Sequence, residues 1–262
     1  MKFVQNHRFY LKAYTLLLCI LLFPFIIFAE QLAPPLPDAD KILKKIDDLW
    51  RGESSRAIVT MRVKTVHWER TLTMEIFSEG TEKTYVKIQK PLKERGTATL
   101  KVGNEIYNYL PKTNRTIKLT AAMMMGSWMG SHFTNDDLVK ESRISEDYVS
   151  KITFAGARGG KEIIELTLIP KPEAVVVWGK LVVVVRASDL QPVEITYYDE
   201  DSNPERHMAF SDYQVVSGRL LPLYMAMIPT DKPDEFTEIT YKELTFDVSI
   251  PKGFFSLTQL GR

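Results

Sequence analysis

The chain of 262 residues carries 34 Lys and Arg against 33 Asp and Glu, which gives a formal net charge of +1 at pH 7. This balance gives no electrostatic reason to bind nucleic acid, because phosphate recognition needs a concentrated basic surface. The only cysteine, Cys19, excludes a disulfide framework, so burial of apolar side chains must stabilise the fold.

The first 29 residues have the layout of a secretory signal peptide. Lys2, Arg8 and Lys12 precede an uncharged run over residues 13–29, which ends in the small residue Ala29. We therefore expect cleavage near Ala29 and export to the periplasm. The open alternative is an uncleaved membrane anchor, although a run of this length with Pro24 inside it is short for a membrane span.

A proline-rich spacer over residues 30–37 is expected to lead into a single domain over residues 38–262. The domain begins with a predicted amphipathic helix, which Asp38 can cap and Gly52 can end. The apolar residues that recur on one face of this helix are Ile42, Leu43, Ile46, Leu49 and Trp50. One face of the helix should therefore pack on the rest of the domain.

The pattern changes from a helical period to a period of two after Gly52. Six apolar residues alternate with polar ones along the first two predicted strands: Val59, Met61, Val63, Leu72, Met74 and Ile76. Turns at residues 103–104 and 111–114 separate further short strands. This alternation predicts an antiparallel meander with one face in water.

Strand patterning resumes at residue 148 and continues to a last strand near residues 236–248. Two valine runs, residues 175–177 and 182–185, lack alternation, which predicts at least one strand covered on both faces. About eleven strands at hairpin spacing predict a mainly β fold with a few helices. The sheet should be one curved, strongly twisted antiparallel sheet or an open barrel.

An apolar segment interrupts the strands at residues 123–138, and we call it the lid segment. Its large apolar residues are Met123, Met124, Met125, Trp128, Met129 and Phe133. Methionine adapts to ligands of variable shape, and Gly126 and Gly130 can act as hinges, so the segment suits a mobile helical lid over an apolar cavity. The alternative is a short helix in an ordinary core, since most apolar stripes are core.

The sequence offers no pattern typical of catalysis or metal binding. His67, His132 and His207 form no HExxH or paired-cysteine motif. Asp136 and Asp137 follow His132 closely, but acids in this position are typical of a solvated helix N-terminus. We therefore expect no enzyme activity, no metal and no cofactor, and an enzyme acting on lipid is the least favoured alternative.

A family resemblance rests on four stretches of the sequence. They are Pro91 with residues 96–100, residues 107–111, residues 129–138, and residues 219–222 through 255–257. These stretches resemble the LolA-like outer-membrane lipoprotein-sorting family, in particular its longer bacterial branch. The resemblance implies an unclosed β-barrel, a half-pipe around helices, with an apolar cavity between them.

The resemblance also implies a function and favours a lid that faces the ligand. Members of the family ferry acylated lipoproteins across the periplasm, and relatives act as lipid carriers or as sensors in envelope-stress signalling. We expect acyl chains of a lipoprotein or lipid to contact the six lid residues and the six alternating strand residues named above. Expected partners are this cargo, an inner-membrane transporter and an outer-membrane acceptor. The open alternative is a non-catalytic lipid- or lipoprotein-sensing module, or an accessory module of a transporter or envelope-stress regulator.

Overall fold

The computed structural model describes residues 37–50, 52–140, 144–174 and 176–261. The predicted signal peptide and all of the predicted spacer except Pro37 lie outside these residues. Among the helices in the described ranges, none is long and apolar enough to cross a bilayer. The chain from Pro37 onward forms one compact unit.

Thirteen strands form one antiparallel sheet. Their bounds are β1 Ser54–Lys64, β2 Glu69–Glu79, β3 Lys83–Lys90, β4 Ala98–Val102, β5 Glu105–Leu110, β6 Arg115–Lys118, β7 Tyr148–Arg158, β8 Lys161–Pro170, β9 Lys180–Arg186, β10 Pro192–Tyr198, β11 Pro204–Val216, β12 Arg219–Pro229 and β13 Phe236–Phe246. Their order across the sheet is β6-β5-β4-β3-β2-β1-β13-β12-β11-β10-β9-β8-β7. The first and last strands in this order do not pair with each other, so the sheet is an open half-barrel.

This architecture confirms the prediction of a mainly β fold built on an unclosed antiparallel barrel. The structure has thirteen strands where hairpin spacing predicted about eleven.

The hairpins place their turns alternately at two ends of the sheet. One end, which we call the rim, carries six connections: residues 65–68, 91–97, 111–114, 171–179, 199–203 and 230–235. The register supports this grouping, because Lys64 at the end of β1 pairs with Phe236 at the start of β13. The far end carries the remaining turns between successive strands.

In the described part of the chain, four short α-helices accompany the sheet: α1 Ala39–Asp47, α2 Asn135–Lys140, α3 Ile144–Asp147 and α4 Leu257–Leu260. Asp38 caps α1 as predicted, because its Oδ1 accepts a hydrogen bond from Asp40 N at 3.0 Å. The predicted end at Gly52 is wrong, since α1 ends at Asp47. Leu49 then packs in a separate cluster with Leu221, Leu223 and Phe246.

Two apolar clusters fill the inner face of the sheet. In one, Ile42, Leu43 and Ile46 of α1 pack against inward side chains of β8–β12. In the other, Trp128 of the lid segment packs against β1, β2 and β3. Phe133 contacts both clusters, so a continuous apolar core joins the two halves of the sheet.

The expectation of a valine-rich strand covered on both faces is wrong. Along β9, Leu181, Val183 and Val185 are fully buried, whereas Val182 and Val184 on the opposite face are only half-buried. The outer face of β9 is therefore only partly shielded, and none of the described helices covers it. Val176 and Val177 belong to the irregular connection after β8 and lie in no strand.

Candidate ligand-binding site

A cavity of about 190 Å³ lies between the inner face of the sheet and its cover. The sheet side is lined from both halves by Val59, Met74, Ile76, Leu181, Ile195 and Met225. The cover consists of α1, the lid segment, α3 and the connection over residues 171–179. Because its walls are mainly aliphatic and aromatic, the cavity suits an apolar ligand.

The six predicted strand residues divide into two groups. Val59, Met74 and Ile76 line the cavity. Met61, Val63 and Leu72 are fully buried in the cluster that contains Trp128 and are not among the lining residues. The division follows position along the strands, since Val63 is one residue from the rim, where the lid segment is attached.

The predicted lid residues also divide. Trp128 and Phe133 line the cavity, together with Leu138. Met123 and Met125 are 41% and 51% exposed, and Met124 and Met129 are half-buried outside the lining. The four methionines thus contact solvent and protein, and their contact with acyl chains stays a prediction.

The lid segment is less helical than its composition suggested. One 3₁₀ turn, Ala121–Met123, ends where the lid segment begins, and before α2 the segment itself contains only the 3₁₀ turn Trp128–Gly130. Met129 has a left-handed backbone with φ of 48°, followed by Gly130 with φ of 69°. Two successive residues in this region cannot continue a right-handed helix, so the backbone folds back on itself here.

Trp128 is the most firmly held side chain of the lid segment. It is 3% exposed, and its Nε1 donates a hydrogen bond to Thr99 Oγ1 at 3.2 Å. This ring is therefore part of the core and also part of the cavity wall. The segment is therefore anchored through its largest side chain.

Both glycines have a packing role. At Gly126 an added Cβ would lie 3.0 Å from the backbone O of Met123. At Gly130 an added Cβ would lie 3.1 Å from Arg70 Nη2, in a backbone conformation that favours glycine. These contacts account for glycine at both positions, and the hinge role stays a prediction.

Two arginines bind the backbone of the lid segment. Arg70 Nη2 donates a hydrogen bond to Met129 O, and its Nη1 pairs with Glu94 at 3.1 Å. Arg206 Nη1 donates to His132 O at 2.9 Å, and its Nη2 pairs with Asp137 Oδ1 at 2.6 Å. The lid segment is thus fastened to β2 on one side of the sheet and to β11 on the other.

Arg206 was not anticipated from the sequence. Its side chain is buried, and its guanidinium lies over the rings of Trp178 and Tyr197 at 4.4 and 4.5 Å. The sequence did carry one signal. Arg206 is two residues before Met208 and four before Phe210, so along an alternating strand its side chain faces the same side as theirs. A charged residue at an inward strand position indicates a buried ion pair.

His132 and Asp137 serve to position the lid segment. The backbone N–H of His132 donates to Thr237 Oγ1 at 2.9 Å, and His132 Nε2 lies 3.3 Å from Glu235 Oε2. The pKa of the Glu235 carboxyl is lowered, first by a hydrogen bond from the Val66 N–H and then by His132. Asp137 Oδ2 also accepts from Thr134 N at 2.7 Å, which completes a capping box at the start of α2.

Carboxylates line one side of the otherwise apolar cavity: Asp47, Asp136, Asp137 and Asp147. Burial, followed by the charges of Asp147, Asp136 and Asp137, raises the pKa of Tyr148. The neutral phenol donates a hydrogen bond to Trp178 O at 3.1 Å. Among the residues with described positions, no group of three or more His, Cys, Asp or Glu side chains could hold a metal ion.

Comparison with solved structures reveals the same fold in several bacterial proteins. A domain described as an outer membrane lipoprotein-sorting protein from Vibrio parahaemolyticus shares 21% identity and a TM-score of 0.75, over 86% of this chain and 98% of its own. A DUF1329 family protein from Desulfovibrio piger gives 18% identity and 0.78, over 87% of this chain and 100% of its own. A LolA superfamily protein from Nitrosomonas europaea shares 20% identity and a TM-score of 0.72, over 85% of this chain and 99% of its own.

At these identities the likeness establishes the fold, and with it the fold that the resemblance predicted. No curated protein sequence matches the chain. A family model described as "Uncharacterized protein" matches residues 80–262, which is more than half of the sequence. The chain therefore belongs to the protein family that this model defines, and its fold is that of the LolA-like lipoprotein-sorting proteins.

Proposed function

We propose that the protein is a periplasmic carrier that binds acyl chains of lipoproteins or lipids in its cavity and ferries them toward the outer membrane. The observation that carries this proposal is the apolar cavity between the half-barrel and its cover. Two of the similar structures are described as lipoprotein-sorting or LolA superfamily proteins, which supports the same class of cargo.

The energetics favour a carrier of this kind. Each buried CH₂ contributes about 0.8 kcal/mol, so one long acyl chain represents gross burial of about 10 kcal/mol. Free acyl chains would therefore return to a membrane or aggregate unless a protein covers them. Tyr148 and Trp178 bring polar groups to the carboxylate-lined side of the cavity, where the head of an amphiphile would lie.

Loading requires the cover to move. The cavity of about 190 Å³ is smaller than the ~300–1,000 Å³ of typical ligand sites. A long acyl chain needs a space within the range of typical ligand sites, so residues of the cover must be displaced when cargo enters. Val176 and Trp178 are suited to this movement because they line the cavity from an irregular connection rather than from a strand.

A substitution that fills the cavity tests the binding site. Ile76→Trp places an indole into the cavity, and we expect it to weaken binding of a fluorescent fatty acid at least tenfold, about 1.4 kcal/mol. Ile169→Trp is the matched control, because Ile169 is exposed on β8 outside the cavity. Equal binding by both variants, with unchanged melting temperatures, would exclude this cavity as the acyl-chain site.

A transfer assay separates a carrier from a sensor or accessory module. A carrier should move a fluorescent lipid from donor to acceptor vesicles at a rate proportional to its concentration. A sensing module should bind the same lipid with no effect on its transfer. The Ile76→Trp variant serves as the negative control in this assay.

We further propose that the protein acts by binding alone, after export and cleavage near Ala29. An inner-membrane transporter would supply its cargo, and an outer-membrane acceptor would receive it. N-terminal sequencing of protein from the cell envelope tests the export step, and a start at Met1 in a membrane fraction would contradict it. Single alanine variants of His132, Asp136 and Asp137 should change acyl-chain binding by no more than a few-fold.

A further inference from the structure

Exposed apolar side chains are concentrated in the turns at one part of the rim. In the turn after β1, Val66 is 71% exposed and Trp68 is 42% exposed. In the turn after β3, Leu92 is 80% exposed, the highest value among the large apolar residues of the described chain. Turns that project large apolar side chains into water are typical of surfaces that contact a partner or a membrane.

The same part of the rim is basic. Residues 64–70, 90–97 and 110–115, which we call the basic rim, contain seven Lys and Arg against two acids. Both acids are already in ion pairs, Glu69 with Arg62 at 2.8 Å and Glu94 with Arg70 at 3.1 Å. The turns that carry Val66, Trp68 and Leu92 therefore present a net positive charge.

Two of the other three rim connections have the opposite charge, and the third, which begins at Lys171, contains one basic and one acidic residue. Residues 199–203 and 230–235 contain six acids and a single basic residue, Lys232. These turns belong to the half of the sheet formed by β10–β13. The rim thus has a basic, apolar part and an acidic, polar part, which together define one orientation toward a negatively charged surface.

The combination of side chains matches a bilayer surface. Tryptophan is enriched where proteins meet the interface between water and lipid, and basic residues beside apolar ones attract anionic headgroups. A protein partner would more often be met by a closed, shape-matched patch than by three separate projecting turns. We infer that the basic rim docks the protein on bilayers that contain anionic phospholipids.

Docking at this position would bring the membrane close to the attachment of the lid segment. The Trp68 ring lies 5.3 Å from the Arg70 guanidinium, and Arg70 donates a hydrogen bond to Met129 O. The ring also lies 3.9 Å from the position of a Cβ at Gly130. The docking surface is nevertheless separate from the cavity, because Val66, Trp68 and Leu92 are not among the lining residues.

Fluorescent probes at single positions test the docking surface in the full chain. Cys19→Ser removes the only natural cysteine, and Val66→Cys, Leu92→Cys or Val215→Cys then carries an environment-sensitive label. Val215 is the matched control, because it is also a valine at 71% exposure but lies beside the turn after β11 at the far end. A retained N-terminal anchor would tether all three labelled proteins alike.

Vesicles containing phosphatidylglycerol should shift the emission of labels at residues 66 and 92 to the blue and leave the label at residue 215 unchanged. Vesicles of phosphatidylcholine alone should have a much smaller effect. Equal responses at residues 66 and 215, or no response at residues 66 and 92, would overturn the proposal. The second result would leave the rim as a surface for a protein partner.

A charge-removal pair tests the electrostatic part of the proposal. Each basic side chain near an anionic surface contributes about 1 kcal/mol, or roughly fivefold in affinity. Lys93→Gln with Arg95→Gln should therefore weaken association with the anionic vesicles about 25-fold. Lys161→Gln with Lys252→Gln, both exposed at the far end, removes the same charge and should have little effect. Equal weakening by both pairs would overturn the assignment to the rim, and neither pair should alter fatty-acid binding.

Discussion

Both parts of the lid segment carry large apolar side chains, but the two parts have different roles. Residues 123–127 place Met123 and Met125 in water, whereas residues 128–138 place Trp128 and Phe133 against the cavity. The difference lies in attachment, because Trp128, His132 and Asp137 each bind a side chain of the sheet. Apolar composition therefore shows that a segment can cover a cavity, but hydrogen bonds determine which of its residues do so.

Among substitutions in and around the lid segment, truncation of Trp128 should lower the free energy of unfolding the most. Trp128→Ala removes a buried ring and its hydrogen bond to Thr99, and we expect it to lower the free energy of unfolding by about 3–5 kcal/mol. Urea denaturation measures the change, and Met125→Ala is the control from the exposed part. A loss below about 1 kcal/mol would show that the ring is held only loosely.

Removal of Arg206 should have the next largest effect. Arg206→Met removes the donors to Asp137 Oδ1 and to the carbonyl of His132, and we expect the free energy of unfolding to fall by about 2–3 kcal/mol. The exposed pair of Arg158 with Glu165 provides the control, since Arg158→Met should cost less than about 1 kcal/mol. Similar losses in the two variants would contradict the claim that Arg206 fastens the lid segment.

The pH dependence of stability should show whether Asp136 and Asp137, in residues 128–138 of the lid segment, lie close to Tyr148 at the cavity. Burial and three carboxylates raise the pKa of Tyr148 in the folded protein, whereas an unfolded tyrosine ionises near pH 10. The unfolded chain therefore loses this proton first, so Tyr148 should contribute to stability below pH 10 and lose that contribution as the pH rises further.

Denaturation between pH 9 and 11 in the wild type and in Tyr148→Phe tests this dependence, and the variant should lose less stability over that range. Only the slopes are compared, because phenylalanine also removes the hydrogen bond to Trp178 O. Asp136→Asn should flatten the wild-type slope by a smaller amount. Parallel slopes in all three proteins would show that the carboxylates of the lid segment do not affect Tyr148.

The exposed methionines should show the smallest effect on stability. Met123→Ser with Met125→Ser should change the free energy of unfolding by less than about 0.5 kcal/mol. In the unmodified protein, mild peroxide should oxidise Met123 and Met125 before Met61 and Met74, which are fully buried. Peptide mass spectrometry measures the order, and equal rates would contradict the exposure of this part.

The sequence predicted the sheet well because alternation and turn residues are local signals. Val59, Met61 and Val63 lie on one face of β1, and Asp38 caps the first helix, as their spacing indicated. The cover was harder to predict, since its conformation depends on distant partners. Nothing near Met129 in the sequence indicates that Arg70 binds its carbonyl, or that Arg206 on β11 holds the segment from the other side.

The unclosed sheet has a mechanical consequence for the acyl-chain cargo proposed above. No hydrogen bonds join β6 to β7, so the two edges can separate without breaking any strand pairing. The half-barrel can then open by moving β6 and β7 apart. The curvature of the sheet and the side chains between the two edges would resist this movement. An open sheet of this kind should bind acyl chains of different lengths with similar affinities. Each added CH₂ gains free energy when it leaves water, but it also forces the sheet to open further, which costs free energy.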